Sequence, residues 1–188
     1  MQLKQIRLCA CLLFYSPEGL TMKLSTKKIT AIGMVAALYS IVTIVIGDFS
    51  YGNIQMRISE VLMLLCFYRK EYCYALSIGC FIANLFSPMP IDIVFGTLAT
   101  VCAAVPMYLI GKHSSRRFSM LIVSSLFPVV TNSIIVGLEL KYFMSLPFII
   151  SAVQVGLGEF LSVTVLGCIL FSVVTKNKQF MRVLTELN

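Results

Sequence analysis

The sequence predicts an all-α polytopic membrane protein with six transmembrane helices and both termini in the cytoplasm. Two compositional features predict this class: 59% of the 188 residues are apolar and only 12% are charged. Soluble domains carry about 25% charged residues, so the apolar excess indicates membrane spans rather than an ordinary core. We expect a six-helix membrane domain at residues 22–176, followed by a cytoplasmic tail at residues 177–188.

Residues 1–21 differ from the rest of the chain. Lys4 and Arg7 precede an apolar run at residues 8–15, which resembles a weak signal peptide but is followed by no small-residue cleavage site. Met22 opens the Lys-rich stretch MKLSTKK, which is typical of a cytoplasmic N-terminus. We therefore interpret residues 1–21 as an extension that precedes the true start of the protein.

Six apolar segments follow in order. The first comes directly after the Lys-rich stretch, and the second, which is short, begins inside a polar stretch. Ser87-Pro88-Met89-Pro90 ends the third, and a basic loop separates the fourth from the fifth. A straight span needs roughly 20 apolar residues, so the second and third segments are shorter than a straight span requires. The six predicted spans are residues 29–47, 58–68, 72–86, 91–110, 118–138 and 146–174.

The basic residues predict the orientation. With the N-terminus inside, only Arg57 and Lys141 lie outside, and the other 13 of the 15 Lys and Arg residues lie in cytoplasmic segments, as the positive-inside rule requires. The net charge of +7 is therefore a topology signal, and we expect no binding of nucleic acid. The 13 are Lys4, Arg7, Lys23, Lys27, Lys28, Arg69, Lys70, Lys112, Arg116, Arg117, Lys176, Lys178 and Arg182.

The stretch YGNIQMRISE, residues 51–60, is the most polar part of the apolar region. Arg57 and Glu60 are three residues apart, so a local ion pair in a wet connector explains them. Tyr51, Asn53 and Gln55 accompany them, and an aromatic face beside carboxylate and amide groups is suited to a flat polar ligand. The chemistry alone leaves both interpretations open.

Polar residues also lie inside the predicted spans. Glu159 is about a dozen residues into the sixth span, roughly 18 Å deep at 1.5 Å per residue, where a carboxylate costs at least about 2.5 kcal/mol unless it is paired, wet or neutral. Ser125, Asn132 and Glu139 are seven residues apart and share one helix face. We expect Asn132 and Glu159 to line a ligand site. Hydrogen bonding between helices is the expected role of Ser125, Ser151 and Ser162.

Small residues on the first helix form two ridges, Gly33/Ala37 and Ala36/Ser40. Such ridges allow helices to approach closely, either inside one chain or between membrane subunits. The sequence slightly favours packing inside the chain.

Motifs for catalysis and for metals are missing from the sequence. His113 is its one histidine, and Gly111-Lys112-His113-Ser114 departs from a phosphate-binding loop because Ser114 does not follow the lysine. We therefore expect no cofactor, no metal and no enzymatic activity.

Four motifs resemble one family when they are taken in order. They are YGNIQMRISE at 51–60, CFIANLFSPMPIDIVFGTLAT at 80–100, NSIIVGLEL at 132–140 and VGLGE at 155–159. Over residues 23–174 the chain is similar to the QueT family, which are substrate-binding S-components of energy-coupling factor (ECF) transporters for queuosine precursors.

The resemblance implies a six-helix body in the plasma membrane with a pocket near its outer side, gated by residues 48–57. It implies docking of the first helix on an EcfT-like membrane coupling subunit, with two cytosolic subunits hydrolysing ATP. The family's Ala-x-x-x-Ala docking pattern is absent from the first helix, so Gly33 and Ala37, with Ala36 and Ser40 beside them, are the candidate docking residues.

The implied ligand is a 7-deazaguanine, such as the aminomethyl precursor or queuine. We expect Glu159 or Glu60 to accept hydrogen bonds from the base edge, and an exocyclic amine to meet a second carboxylate. We expect the side chains of Asn132 and Asn84 to contact the carbonyl group and the ring nitrogens of the base. The side chain of Tyr51 is expected to lie over the ring of the base. The complete set of predicted substrate-binding residues is Tyr51, Gln55, Arg57, Glu60, Asn84, Asp92, Asn132, Glu139 and Glu159.

Two other interpretations remain open. The chain could be an S-component for a different vitamin or base, which the identity of the ligand would distinguish. It could also be a polytopic scaffold protein, in which case no small molecule would bind.

Overall fold

The structure, a computed structural model, describes residues 25–47, 57–114 and 118–185, except the side chains of Phe180, Val183 and Thr185. Every regular element within these ranges is helical, which agrees with the predicted all-α class. The elements are α1 (Thr26–Val45), a 3₁₀ helix (Ile58–Phe67), α2 (Lys70–Asn84), α3 (Asp92–His113), α4 (Phe118–Ser124), α5 (Leu126–Met144), α6 (Phe148–Glu159), a π-helical segment (Phe160–Gly167), α7 (Cys168–Val174) and α8 (Lys178–Thr185).

Four continuous helices of the described chain are long and apolar enough to cross a membrane. The longest have 27 residues, about 40 Å at 1.5 Å per residue, against a hydrocarbon core of about 30 Å. The fifth predicted span extends to Met144 rather than ending at residue 138, so Glu139 and Lys141 lie inside a helix. The four are Thr26–Val45, Asp92–His113, Phe118–Met144 and Phe148–Val174.

The second apolar segment is a ten-residue 3₁₀ helix, Ile58–Phe67. It rises about 2.0 Å per residue, so it covers about 20 Å, where an α-helix of equal length would cover about 15 Å. Runs of this length are uncommon because their hydrogen bonds are poorer. Eight of the ten residues are buried, and the helix packs against α1, α2, α3 and the π-helical segment. Packing on several sides thus stabilises a backbone that is weak by itself.

The first two α-helices pack closely where small residues meet. A Cβ on Gly79 would lie 2.9 Å from the Ala36 carbonyl oxygen. The Ser40 hydroxyl donates to the carbonyl oxygens of Ala36 and Gly79, both at 2.9 Å. The Ala36/Ser40 ridge therefore packs inside the chain, against α2.

An ion pair joins the beginnings of these two helices. Lys28 Nζ lies 3.7 Å and Arg69 Nη2 3.1 Å from Glu71 Oε1. Burial opposes ionisation of Glu71, but the hydrogen bonds from Arg69 and the charges of Arg69 and Lys28 outweigh it, so the pKa of Glu71 is below its ordinary value. This end of the bundle is therefore held together by charged groups as well as by packing.

The last helix returns to the same end. The Tyr72 hydroxyl donates to the Leu184 carbonyl oxygen at 3.2 Å, and the Leu184 side chain is buried in the larger hydrophobic cluster. Helix α8 therefore packs on the six-segment body. The beginning of α1, the beginning of α2 and α8 lie together at one end.

The positions of apolar and polar side chains are the reverse of those in a soluble protein. Large apolar side chains on α1 and α6 are exposed, for example Met34 at 66%, Val45 at 78% and Ile149 at 75%. Charged and amide side chains are buried between the helices. Exposed apolar surface on this scale requires a lipid environment, so the protein is a membrane protein.

Candidate functional site

The structure brings the predicted substrate-binding residues together in the interior. Seven of the nine lie in described segments, and each is at most 5% exposed. Tyr51 and Gln55, and most of the predicted gate at residues 48–57, lie outside the described residues. The seven are Arg57, Glu60, Asn84, Asp92, Asn132, Glu139 and Glu159.

Arg57 is the electrostatic centre of this group. It lies at the N-terminal end of the 3₁₀ helix, and its charge acts on all four carboxyl groups, those of Glu60, Asp92, Glu139 and Glu159. A carboxylate inside a membrane protein is tolerated when it is paired or wet. One guanidinium among four carboxyl groups leaves an excess of hydrogen-bond acceptors.

Gly96 of α3 provides the space beside this arginine. A Cβ added there would lie 2.6 Å from Asn84 Nδ2 and 3.6 Å from Arg57 Nη1. An alanine would therefore collide with the Asn84 amide. The small residue is required by the close approach of two site side chains.

Tyr39 of α1 is a site residue that the sequence analysis missed. It is fully buried, and its hydroxyl donates a hydrogen bond to Glu60 Oε1. Glu60 Oε2 has no partner within the described ranges. Nearby, the Thr43 hydroxyl donates to Ser59 Oγ at 2.6 Å. Tyr39 and Thr43 are four residues apart and therefore share one helix face, a spacing that could have indicated a polar face towards the 3₁₀ helix.

Glu159 forms a second carboxylate position close to Glu60. The two interact electrostatically, and Asn132 of α5 contacts the Glu159 carboxyl group. Glu159 Oε2 is buried and, in the part of the chain that is described, has no hydrogen-bond partner. Asn132 and Glu159 therefore lie side by side, and their role in binding a ligand stays a prediction.

The serines expected to join helices behave differently from one another. The Ser125 hydroxyl donates a hydrogen bond to Thr164 Oγ1 at 3.0 Å. Thr164 lies in the π-helical segment, so this bond joins two helical segments, as expected. Ser162 is 1% exposed, yet its hydroxyl finds no partner among the described residues. The expectation was wrong for Ser162, which lies in the π-helical segment that begins directly after Glu159. Such segments are frequent at functional sites.

Asp92 and Glu139 form a separate carboxylate pair. Asp92 begins α3, accepts a hydrogen bond from the Ser87 hydroxyl and interacts with Glu139 of α5. Asn84 Nδ2 donates to the Asp92 carbonyl oxygen at 3.0 Å and to Cys80 Sγ at 3.3 Å. The Asn84 amide nitrogen is therefore occupied, which leaves its Oδ1 as the atom able to meet a ligand.

Several buried oxygens of the site lack partners in the described segments. An unsatisfied buried polar atom costs about 1–3 kcal/mol, and more when it is charged, so a set of them indicates a place for a polar ligand. No group of three or more His, Cys, Asp or Glu residues suited to a metal occurs in the same segments. The oxygens are Glu60 Oε2, Asn84 Oδ1, Glu139 Oε1 and Oε2, Glu159 Oε2 and Ser162 Oγ.

The candidate docking residues divide into two pairs. Ala36 and Ser40 are buried against α2 and are not accessible to another subunit. Gly33 and Ala37 are exposed, and a Cβ on Gly33 would meet no atom within 4 Å. The Gly33/Ala37 ridge is therefore the part of the predicted docking surface that a partner could reach.

Comparison with known proteins agrees with this architecture. Residues 29–176 match the family described as QueT transporter. The chain is 36% identical over 148 residues to the queuosine precursor transporter QueT of Lactococcus lactis subsp. cremoris (strain MG1363), with 74% of this chain and 88% of that relative covered. No solved structure matches the chain significantly. The family and this relative are transporters rather than enzymes, and the chain belongs to the QueT transporter family.

Proposed function

We propose that this chain is the substrate-binding S-component of an ECF importer and that it binds a queuosine precursor of the 7-deazaguanine class. The name of the 36% identical relative supports the substrate. The observation that carries the proposal is the set of unsatisfied carboxylate and amide oxygens around Arg57 in the described interior. A scaffold protein that binds no ligand would leave these atoms without partners, and each unsatisfied atom would destabilise it.

The base edge of a deazaguanine fits the Glu60/Glu159 pair. A guanine-like edge presents adjacent N–H donors, and charged acceptors form the stronger hydrogen bonds with them. Tyr39 occupies one oxygen of Glu60, so Glu60 Oε2 and Glu159 Oε2 together offer two acceptors to that edge. Asn132 and Arg57 carry donors for the ring carbonyl. Tyr51 and Gln55 belong to the predicted gate at residues 48–57, and their side chains are proposed to cover the ring of the deazaguanine.

The six helical segments are proposed to span the plasma membrane with both termini in the cytoplasm. The end that holds the beginnings of α1 and α2 also holds α8 and the basic residues Lys28 and Arg69. Basic residues favour the cytoplasmic side. The pair Asp92 and Glu139 then lies towards the outer side, where a substrate would enter.

Transport is proposed to depend on partner subunits. Two cytosolic ATPase subunits would supply energy, and an EcfT-like membrane subunit would contact α1 at Gly33 and Ala37. Both residues are exposed on an apolar helix that also exposes Met34, Leu38 and Ile41. A small-residue ridge within such a surface lets another helix approach closely.

The substrate class is tested by thermal-shift measurements on the detergent-purified chain with deazaguanines, guanine and water-soluble vitamins. We expect stabilisation by a 7-deazaguanine and by none of the vitamins. Stabilisation by a vitamin alone would assign the chain to a different S-component group, and no stabilisation by any compound would favour the scaffold interpretation.

The docking surface is tested by co-purification with the coupling subunit. Gly33→Leu should reduce recovery of the complex because the larger side chain keeps the partner helix away. Ser119→Leu, at another exposed helical position, is the matched control. Equal recovery of both variants would remove Gly33 from the docking surface.

A further inference from the structure

The carboxylate pair of Glu139 and Asp92 is not needed for the base edge. Glu139 is 1% exposed and Asp92 3% exposed, and the two groups interact with each other. Asp92 is held by the Ser87 hydroxyl. In contrast, neither oxygen of Glu139 has a hydrogen-bond partner in the described part of the chain. Glu139 is thus a buried carboxyl group that contacts another carboxyl group, that of Asp92, and has acceptor capacity left for a ligand.

Charge balance indicates what this pair requires. Arg57 acts on all four carboxyl groups of the site, but it is one positive charge shared among Glu60, Asp92, Glu139 and Glu159. Lys28 and Arg69 are engaged elsewhere, with Glu71. A buried carboxyl group that lacks a counter-charge is strongly destabilising when it is ionised, and otherwise it holds a proton. A ligand that brings a positive charge would relieve this cost, whereas a neutral ligand would not.

A third acceptor accompanies the pair. Asn84 Oδ1 is buried without a partner among the described side chains, while the amide nitrogen of the same residue is fixed on the Asp92 carbonyl oxygen. Glu139, Asp92 and Asn84 come from three different helices and all present oxygens. An ammonium group has three N–H donors and no acceptor, so a trio of oxygens matches it.

The position of the trio suits a substituent rather than the base. Glu139 is five residues from the end of α5 at Met144, about 8 Å along the axis. Helix α6 begins at Phe148, on the side of the bundle where α5 ends. Glu159 is eleven residues further on, about 17 Å along the axis of α6. The two carboxylate positions therefore differ in depth by about 9 Å, comparable with the length of a two-ring base that carries a short side chain.

We propose that Glu139, Asp92 and Asn84 form a subsite for a protonated amine on the 7-substituent of the ligand. This inference rests on the proposed deazaguanine site, and it adds that the protein selects cationic 7-deazaguanines over neutral ones. The Glu60/Glu159 pair accounts for recognition of the base, and the Glu139/Asp92 pair accounts for recognition of the charge.

The test is isothermal titration of the purified full-length chain with two ligands of nearly equal shape, 7-aminomethyl-7-deazaguanine and its neutral 7-hydroxymethyl analogue. We expect the wild-type chain to bind the amine at least about tenfold more tightly, since a hydrogen bond to a charged group contributes about 1.5–3 kcal/mol. Glu139→Gln should lower this preference to less than about threefold.

The outcomes separate this inference from the function on which it rests. Equal affinity of the wild-type chain for both ligands would overturn the amine subsite and leave the deazaguanine site intact, and that comparison needs no variant. Absence of binding by either ligand would overturn the proposed function itself. Should Glu139→Gln not yield folded protein, Asn84→Leu is expected to weaken binding of the amine selectively, and an equal loss for both ligands would contradict the subsite.

Discussion

The hydroxyl group of Tyr39 donates a hydrogen bond to the Glu60 carboxyl group in the interior of the bundle. This bond joins the first helix, which carries the proposed docking ridge, to the 3₁₀ helix, which carries two residues of the proposed ligand site. Both side chains are fully buried. The orientation of a carboxyl group of the proposed ligand site is therefore fixed by a residue of the helix that is proposed to contact a coupling subunit.

Tyr39→Phe should weaken ligand binding without unfolding the protein. The ring still fills its place, but Glu60 loses its donor, and its orientation is no longer fixed. We expect a loss of about 1–2 kcal/mol, roughly 5- to 30-fold in affinity, measured by titration with a 7-deazaguanine. Tyr142→Phe, at a residue that is 72% exposed, is the control. Unchanged affinity in Tyr39→Phe would show that Glu60 does not depend on Tyr39.

Gly96→Ala should damage the site more than the fold. The added methyl group would collide with Asn84 Nδ2, which a hydrogen bond holds on Asp92. Because the colliding atom ends a side chain, the amide can move, so we expect at least about a tenfold loss of ligand affinity with a stability change below about 1 kcal/mol. Gly33→Ala, where no atom lies within 4 Å, should bind normally. Normal binding by Gly96→Ala would mean that Asn84 makes no ligand contact.

Gly111→Ala should destabilise the whole bundle. Its Cβ would lie 1.7 Å from the carbonyl oxygen of Phe67, the last residue of the 3₁₀ helix. A backbone carbonyl group cannot rotate away as a side chain can. We therefore expect the free energy of unfolding to fall by about 3 kcal/mol, measured as a lower unfolding temperature in detergent. At Gly156 the obstacle is the Ser133 hydroxyl at 2.4 Å, which can rotate, so Gly156→Ala should cost much less. Similar losses in both variants would contradict the close approach of α3 to the 3₁₀ helix.

Glu71→Gln should lower thermal stability at neutral pH and have little effect in acid. The pKa of Glu71 is below its ordinary value, so its ionised form stabilises the folded protein at pH values above the ordinary glutamate pKa of about 4.3. That contribution is lost as the pH falls through the lowered pKa of the folded state. Unfolding temperatures of wild type and variant, measured from pH 7 downwards, should therefore converge, and a difference independent of pH would exclude the ion pair as its cause.

The sequence was sufficient to predict the all-helical membrane class and the placement of Asn132 and Glu159 inside the spans. Apolar runs and isolated polar residues can be recognised from short stretches of sequence. A polar residue inside a membrane span almost always faces the interior of the helix bundle. The seven-residue spacing that predicted one face for Ser125, Asn132 and Glu139 therefore holds in the structure, where all three are at most 5% exposed.

Other features depend on contacts between distant segments and could not be read from local patterns. The 3₁₀ helix is stabilised by its neighbours, and the π-helical segment that contains Ser162 has no recognised sequence signal. Tyr39 was missed because an aromatic residue in an apolar span normally packs as a hydrophobe. Its hydrogen bond becomes visible only when Glu60, 21 residues later, is placed beside it.

The most direct test of the proposed function is a titration of the purified chain with 7-aminomethyl-7-deazaguanine, comparing wild type with Glu159→Gln. The variant replaces an acceptor with an amide donor at the base edge but preserves the shape of the side chain. We predict saturable one-to-one binding by wild type and a loss of at least about tenfold in the variant, about 1.4 kcal/mol. Absence of binding by wild type, or equal affinity in both proteins, would contradict the assignment of this buried polar cluster as the ligand site.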